Sequence, residues 1–383
     1  MSRVDELVQK ICPGGVEFRE IDQTIHLNFG TRITKLQSSG SVYPVYGGGG
    51  ESFRTDDYNR ENEYVISRFA MSKTCVRKVR GKFWMLDSGF TFDPVSTDID
   101  KDYVAYVLFN LQPTIYSCSS QGAQKNLKVD EFRKFRIPVP PLEVQRAIVG
   151  ILDNFTKLEA ELEAELEARK KQYVYYRDQL LSRSESFQRV ALGNIVSILN
   201  GYPFKSNQYV DSGVRIIRIG DVQKGYIAKE NIRYQVMSSE AQSSVLMPDD
   251  VVMSLTGNAG RVAMISIDDL PAALNQRVAC LRPKSSNSLL PRYLFHYLNR
   301  DSFESAAMSN ASGAAQKNLS IRWLAEQTIP LPPLKEQRRI VTILDHFDSL
   351  VNDIFVGLPA ELAARRRQYE HYRDKLLTFK EAA

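Results

Sequence analysis

No stretch of this 383-residue chain stays apolar over the ~20 residues a membrane-spanning helix needs, and residues 1–20 hold no signal-peptide core. Cysteine is scarce. Cys12, Cys75, Cys118 and Cys280 are scattered without metal spacing, which speaks against a thiolate metal site or a disulfide framework and for reduced thiols in a cytoplasmic protein. The four histidines (His26, His296, His346, His371) are equally dispersed. No G-x-x-x-x-G-K-S/T phosphate loop occurs. An N/D-P-P-Y/F adenine-methyltransferase motif is also missing, since the two Pro-Pro pairs read V-P-P-L and L-P-P-L. The "PDD" at 248–250 has no E-x-K nearby to complete a nuclease cluster, so a turn explains it better. On this inventory the chain carries no catalytic or metal-binding residues of its own.

The rest of the composition is that of a globular protein: 43% hydrophobic and 25% charged residues can build a sizeable core, and 383 residues suit two domains with connectors. A net charge of +5 is compatible with a polyanionic partner without demanding one. What stands out is that the chain is written twice. "IPVPPLEVQRAIVGILDNF" (137–155) returns as "IPLPPLKEQRRIVTILDHF" (329–347), identical at 13 of 19 positions. "ARKKQYVYYRDQLL" (168–181) returns as "ARRRQYEHYRDKLL" (364–377), and "AQKNL" occurs at 123–127 and 315–319. The offset is 192 residues for the first pair (329 − 137) and 196 for the second (364 − 168), so the second copy carries four extra residues. A period of this length means a duplicated domain, whereas short periods mean solenoids.

Between the repeated segments the halves diverge. "YPVYGGGG", "EYVISRFA" and "KFWMLDSGFTF" in the first, and "VRIIRIGDVQKGYI", "DVVMSLTGNAGRVAMISI" and "LNQRVACLRP" in the second, are β-branched and aromatic runs punctuated by turn residues. They predict two strand-rich mixed domains, with shorter helices at 102–112 and 291–301. Each Pro-Pro pair ends a strand and opens a helix, because proline fits the first helical turn. Along the first helix an apolar stripe runs through Phe155, Leu158, Leu162, Leu166, Tyr173, Tyr176 and Leu180. The second gives Phe347, Leu350, Ile354, Leu358, Leu362, Tyr369, Tyr372 and Leu376, with a Gly-Leu-Pro at 357–359 expected to break or kink it. Steps of three and four put each stripe on one face, so the two helices are expected to pair antiparallel as a coiled coil. The fold class expected is α/β (α+β), an internal repeat with approximate two-fold symmetry. Its segments are a first domain at 1–142, a central helix at 143–184, a second domain at 185–333 and a C-terminal helix at 334–383. The first helix has L-E-A-E units from Leu158 where the second has Gly-Leu-Pro. These units fit either a solvated helix or a ruler that sets a distance.

The arrangement resembles the specificity (S) subunit of type I restriction–modification systems over essentially the whole chain. The resemblance is carried by the duplication together with "PVPPLEVQRAIVGILDNF", "GLPAELAARRRQYEHYRDKLLTF", "YPVYGGGG", "IIRIGDV" and "LNQRVACLRP". It implies two target-recognition domains, each reading one half of a bipartite site in double-stranded DNA. It also implies conserved helices that set the spacer and dock two modification (methyltransferase) subunits, with restriction (endonuclease) subunits joining them. The chain itself would be non-catalytic. S-adenosylmethionine, and ATP with Mg for restriction, would sit on the partners, whose complex would act as adenine-N6 methyltransferase and endonuclease. A non-catalytic helical scaffold, or an orphan DNA-binding protein without a nuclease partner, is the alternative. A scaffold alone leaves the divergence of the two domains unexplained.

What the halves share must serve fold, phosphate positioning or a common partner, and what differs can serve base reading. In the first domain the candidates for DNA contact are the basic run Lys73, Arg77, Lys78, Arg80 and Lys82, with Tyr46 and Gly48 of the glycine turn, whose amides suit a phosphate. A solvated face and an ordinary turn are the competing explanations. In the second domain Arg215, Arg218, Asn258, Arg261, Asn275, Gln276 and Arg277 offer the forks and amides that suit guanine and adenine edges. The shared Gln124, Lys125 and Asn126, matched by Gln316, Lys317 and Asn318, fit loop stabilisation or phosphate contact better than base reading.

Overall fold

The structure is a computed structural model and describes residues 3–36, 40–122, 124–183, 186–313, 318–352 and 357–382. It falls into two compact units, Met1–Glu163 with Leu362–Ala383, and Ala164–Glu361. The four segments expected from the sequence are thereby regrouped. Each unit takes one strand-rich domain, the beginning of the helix that follows it and the end of the other helix. Leu142–Arg183 is one continuous helix of 42 residues, about 63 Å long at 1.5 Å per residue. The second helix is described as Leu334–Asn352 and Leu358–Leu376. Its later part opens at the Gly-Leu-Pro, where the Gly357 carbonyl accepts from the Ala360 and Glu361 amides. Ile354, expected in the stripe, lies outside the described residues. Among these residues no helix is long and apolar enough to cross a membrane.

The first unit is built on a six-stranded sheet. Its order is Ile25–Phe29, Gly89–Pro94, Arg60–Ser67, Val76–Met85, Tyr43–Gly47, Gly50–Thr55. All neighbours are antiparallel except Tyr43–Gly47 beside Val76–Met85. Alternating burial along Val76–Met85 sends Val79, Phe83 and Met85 inward, as a strand with one buried face requires. The helix Lys101–Asn110 covers the other face, and Phe90, Phe92, Tyr103, Val104 and Leu108 join Val144, Ile148 and Leu152 of the long helix in one core. Leu376 and Leu377 belong to that core too. Beyond them the chain pairs with Val16, whose amide donates to the Lys380 carbonyl and whose carbonyl accepts from the Ala382 amide.

The second unit has two larger sheets beside a two-stranded pairing of Arg189–Ala191 with Thr328–Pro330. One is Val196–Asn200, Val278–Pro283, Val251–Ser254, Val262–Met264, and the other is Tyr234–Gln235, Val214–Ile217, Ala272–Leu274. The helix Pro291–Leu298 packs on the first sheet with Ile340 and Leu344. In spite of the different sheets, the join between domain and helix is the same in both units. Tyr103 donates to the Pro138 carbonyl at 3.1 Å, and Tyr293 donates to that of Pro330 at 3.2 Å. Gln145, fully buried, accepts from the Asp100 amide at 2.8 Å and donates to the carbonyls of Asp98 at 2.9 Å and Pro140 at 2.7 Å. Gln337, also fully buried, accepts from the Leu290 amide at 2.9 Å and donates to the carbonyls of Ser288 and Pro332, both at 2.8 Å. This clamp explains why glutamine recurs five residues after the start of each Pro-Pro pair. The glutamine satisfies loop and helix-start groups that the core would otherwise bury unpaired.

Candidate nucleic-acid interface

At one side of the first unit's sheet, five loops are stitched together by their backbones. The Gly48 amide donates to Ser88 Oγ, and the amides of Arg68 and Phe69 both donate to the Ser88 carbonyl. Met71 donates to the Lys125 carbonyl, and Leu127 donates back to that of Arg68. Glycine is required at 48, where any side chain would collide with the Phe69 carbonyl oxygen, and at 30, where one would meet the Leu86 carbonyl. The second unit stitches its loops alike. Leu255 donates to the Arg277 carbonyl, Leu319 to that of Leu255, and Gly201 lies against the carbonyl of Asn275. Asn126 and Asn318 serve these seams: the Asn126 side chain accepts from the Ala70 amide, and that of Asn318 accepts from Thr256 Oγ1 at 2.6 Å. Part of the shared A-Q-K-N-L is thus loop-stabilising.

Set against the sequence candidates, this geometry keeps some and removes others. Asn258, Gln276 and Arg277 are exposed in the stitched loops of the second unit, with Asn275 half-buried beside them. Arg215 requires correction. It is 5% exposed, with one guanidinium nitrogen 2.6 Å from Asp269 and the other on the Ala228 carbonyl. Buried and paired, it holds the fold and offers no free donor to a base. Arg218 is likewise engaged, bidentate on Asp221 and bonded to the Asn231 carbonyl, and Arg261 reaches Gln223 and Glu304. In the first unit Arg77 is turned inward to the carbonyls of Gly47 and Gly48, and burial lowers its pKa. Gly48 is buried with its amide spent on Ser88, so the glycine turn presents no phosphate cradle at that position. Its function is close backbone packing. Tyr46 packs edge-on against Phe83 at 5.6 Å. Lys78 meets Tyr64 and Asp102, and Lys82 lies over the Tyr58 ring. Lys73, Arg80 and Gln124 are exposed and Lys125 is half-buried. Gln316 and Lys317 lie outside the described residues.

The helices pair by the same contact in each unit. Phe155 stacks on Tyr372 with ring centroids 5.5 Å apart and 26° between planes, and Phe347 stacks on Tyr176 at 5.5 Å and 24°. Phe155 also touches Tyr369. Arg366 binds Glu159 at 2.6 Å and also Glu163, so residue numbers rise on one helix as they fall on the other and the pairing is antiparallel. Tyr173 and Leu362 are buried, and Leu166 and Leu350 pack against the second core. Leu162 is half-buried, whereas Leu158 is 46% exposed and does not join the seam as expected. The L-E-A-E carboxylates divide between two tasks. Glu159 and Glu163 hold Arg366 across the seam, while Glu161, Glu165 and Glu167 pair with Lys157, Arg169 and Lys170 of their own helix.

In the second unit a buried histidine stands at the helix seam. His296, fully buried, contacts Asp345 at 2.6 Å and Tyr173 at 3.4 Å, and Arg292 binds Asp345 and Asp348. Burial lowers the His296 pKa against the opposing pull of Asp345. In the first unit Tyr106 donates to Asp153 at 2.6 Å in the corresponding place. Among the described residues no group of three His, Cys, Asp or Glu side chains could hold a metal ion.

A family model described as the type I restriction modification DNA specificity domain matches residues 13–168 and again 184–364. The chain belongs to this family. Its two matches cover both strand-rich domains and most of the helices that join them. Among its relatives is the type I restriction enzyme EcoR124I/EcoR124II specificity subunit of Escherichia coli, 30% identical over 85% of this chain and 79% of that one. A putative type I restriction enzyme specificity subunit of Haemophilus influenzae is 27% identical over 97% of this chain and 98% of its own. The crystal structure of the S subunit of a type I system from M. genitalium has the same fold, with a TM-score of 0.63 over 95% of this chain and 96% of that one at 18% identity. Arg68 also stands in the stitched loops of the first unit, and the sequence candidates did not include it. It stands in "EYVISRFA", a run whose pattern reads simply as a strand.

Proposed function

We infer that the chain is the DNA-recognition subunit of a type I restriction–modification complex, in which each unit reads one half of a bipartite site. The observation that carries this reading is the contrast between shared and divergent parts. The glutamine clamp, the tyrosine on the Pro carbonyl and the aromatic stack recur in both units, while the exposed side chains of the stitched loops differ. Common parts suit identical partners, here two modification subunits docked on the helices. Divergent loops suit different half-sites, since identical side chains cannot distinguish different base edges.

The chain contributes recognition, and the chemistry belongs to its partners. The modification subunits would bring S-adenosylmethionine, and restriction subunits would bring ATP with Mg. Mixed with its modification subunit and S-adenosylmethionine, the chain should direct N6-adenine methylation at a split site, read out by mapping methylated adenines. Exchanging residues 190–328 for the equivalent domain of a relative should change one half-site and spare the other. Methyl transfer by the purified chain alone, or both half-sites changing together, would sink this reading.

A further inference from the structure

Arg68 differs from Arg54, Arg60 and Arg77 of the same unit in that aromatic rings, and no oxygen acceptor among the described residues, hold its guanidinium. Its amide donates to the Ser88 carbonyl at 2.8 Å, and its carbonyl accepts from Leu127 at 2.8 Å. Its guanidinium lies over two rings, 4.6 Å from the centroid of Phe69 and 5.4 Å from that of Phe29. Phe29 is itself braced edge-on against the buried Phe90 at 5.3 Å, yet stays 40% exposed. Stacking uses the faces of a guanidinium and leaves its N–H groups free in the plane. Among the described residues none accepts a hydrogen bond from that guanidinium, whereas Arg54, Arg60 and Arg77 are all tied to carbonyl or side-chain oxygens. Two residues on, Ala70 is held at φ 48, a conformation that non-glycine residues adopt at a cost.

The duplication supplies an independent argument. Leu127 and Leu319 are the matching leucines of A-Q-K-N-L, and each donates its amide to one residue of the facing loop. In the first unit that residue is Arg68, and in the second it is Leu255, which is 8% exposed. The backbone position is common and the side chain is not. A group needed for fold or for phosphate positioning would be expected at both places, whereas a group that reads one half-site is expected at one.

We propose that Arg68 is a specificity-determining residue, a pre-oriented fork that reads a guanine in the half-site of the first unit through O6 and N7 in the major groove. The inference rests on the recognition function proposed above. Holding the fork on two rings removes most of the rotamer entropy that a free arginine loses on binding, so the hydrogen bonds act with less entropic opposition.

The test uses the chain assembled with its modification subunits, wild type against Arg68→Lys and Arg68→Ala. Each complex selects sites from a randomised duplex library, and the selected wild-type site is then remade with 7-deazaguanine at each guanine in turn. The expected result is that one G·C position in one half-site loses its preference in both variants, by roughly 5- to 150-fold, with the other half-site unchanged. One 7-deazaguanine in that half-site should weaken wild-type binding, a readout that does not depend on the folding of any variant, and should leave Arg68→Ala indifferent. Unchanged selectivity in both variants overturns the assignment. So does a uniform loss on all duplexes that Arg68→Lys restores, because that marks a phosphate contact. A wild-type complex that prefers no sequence overturns the recognition function and this inference with it.

Discussion

Replacing Gln145 with leucine should loosen the joint between the first domain and its helix, by an amount that follows from three hydrogen bonds. The side chain is fully buried and satisfies the Asp100 amide and the carbonyls of Asp98 and Pro140. Leucine fills a similar volume, so packing changes little. What remains is one N–H and two carbonyls without their partner, the Pro140 carbonyl buried and the other two groups partly so. Each lost bond is worth about 1 kcal/mol net, and an orphaned buried group adds up to a further 1–3, so a loss of roughly 3–5 kcal/mol is expected. For a unit of this size that corresponds to a fall in melting temperature on the order of 6–20 °C. Gln337→Leu should do the same in the second unit, through the Leu290 amide and the carbonyls of Ser288 and Pro332. Scanning calorimetry gives the size of the effect. Hydrogen exchange gives its place: the Asp100 amide should lose protection in Gln145→Leu alone, and the Leu290 amide in Gln337→Leu alone. A loss below about 1 kcal/mol in both variants would refute the reasoning, since it would mean that water or a relaxed backbone satisfies those groups as well as glutamine does.

Three other outcomes are expected. Inserting one L-E-A-E unit after Leu166 adds roughly 6 Å and a net rotation of about 40° to the helix. One base pair adds about 3.4 Å and about 35°, so the rotation matches one base pair, and the rise does too where the helix runs oblique to the DNA axis. The unread spacer should lengthen by about one base pair, and an active variant with an unchanged spacer in its methylation map would refute the ruler. His296 has its pKa lowered by burial in the folded state, so the stability it lends is present above its unfolded pKa near 6.5 and is lost as the pH falls below it. The second unit should therefore weaken as the pH falls below about 6.5, by up to ~1.4 kcal/mol per pH unit. Around His296, the pKa of Asp345 is lowered and those of Arg292 and Tyr173 are raised, so none of the three changes charge in that range, and the first unit has Tyr106 at the corresponding place. Urea melts followed by hydrogen exchange in each unit check this, and an equal acid response in His296→Gln would contradict it. Arg366→Glu sets a carboxylate against Glu159 and Glu163. It should lower stability by about 1–2 kcal/mol at low salt and less at high salt, and an effect independent of ionic strength would point away from charge.

The amino-acid sequence alone determined the duplication, the two long helices and the divergence of the domains between them. These are local or periodic signals. A Pro-Pro opening and a three-four apolar stripe act within one helix, and a repeat needs no contact to be seen. The antiparallel pairing of the two helices was legible for the same reason, because a matched stripe on each helix has few other ways to be buried, but the stacking of Phe155 on Tyr372 and of Phe347 on Tyr176 was not. Tertiary structure decided which polar side chains are free. Arg215 and Arg218 look like base-reading forks in "VRIIRIGDV", but Asp269 and Asp221 occupy them, the first from 54 residues away. Gly48 looks like part of a phosphate turn, but the Phe69 carbonyl fills the space beside it. Gln145 looks like a surface residue of an amphipathic helix, but it closes three backbone groups from two loops. Arg68 was passed over because a strand pattern hides its rings, and Phe29 comes to it only when the sheet sets Ile25–Phe29 beside Gly89–Pro94. Whether a donor is spent or available depends on neighbours distant along the chain, and sequence spacing carries no record of them.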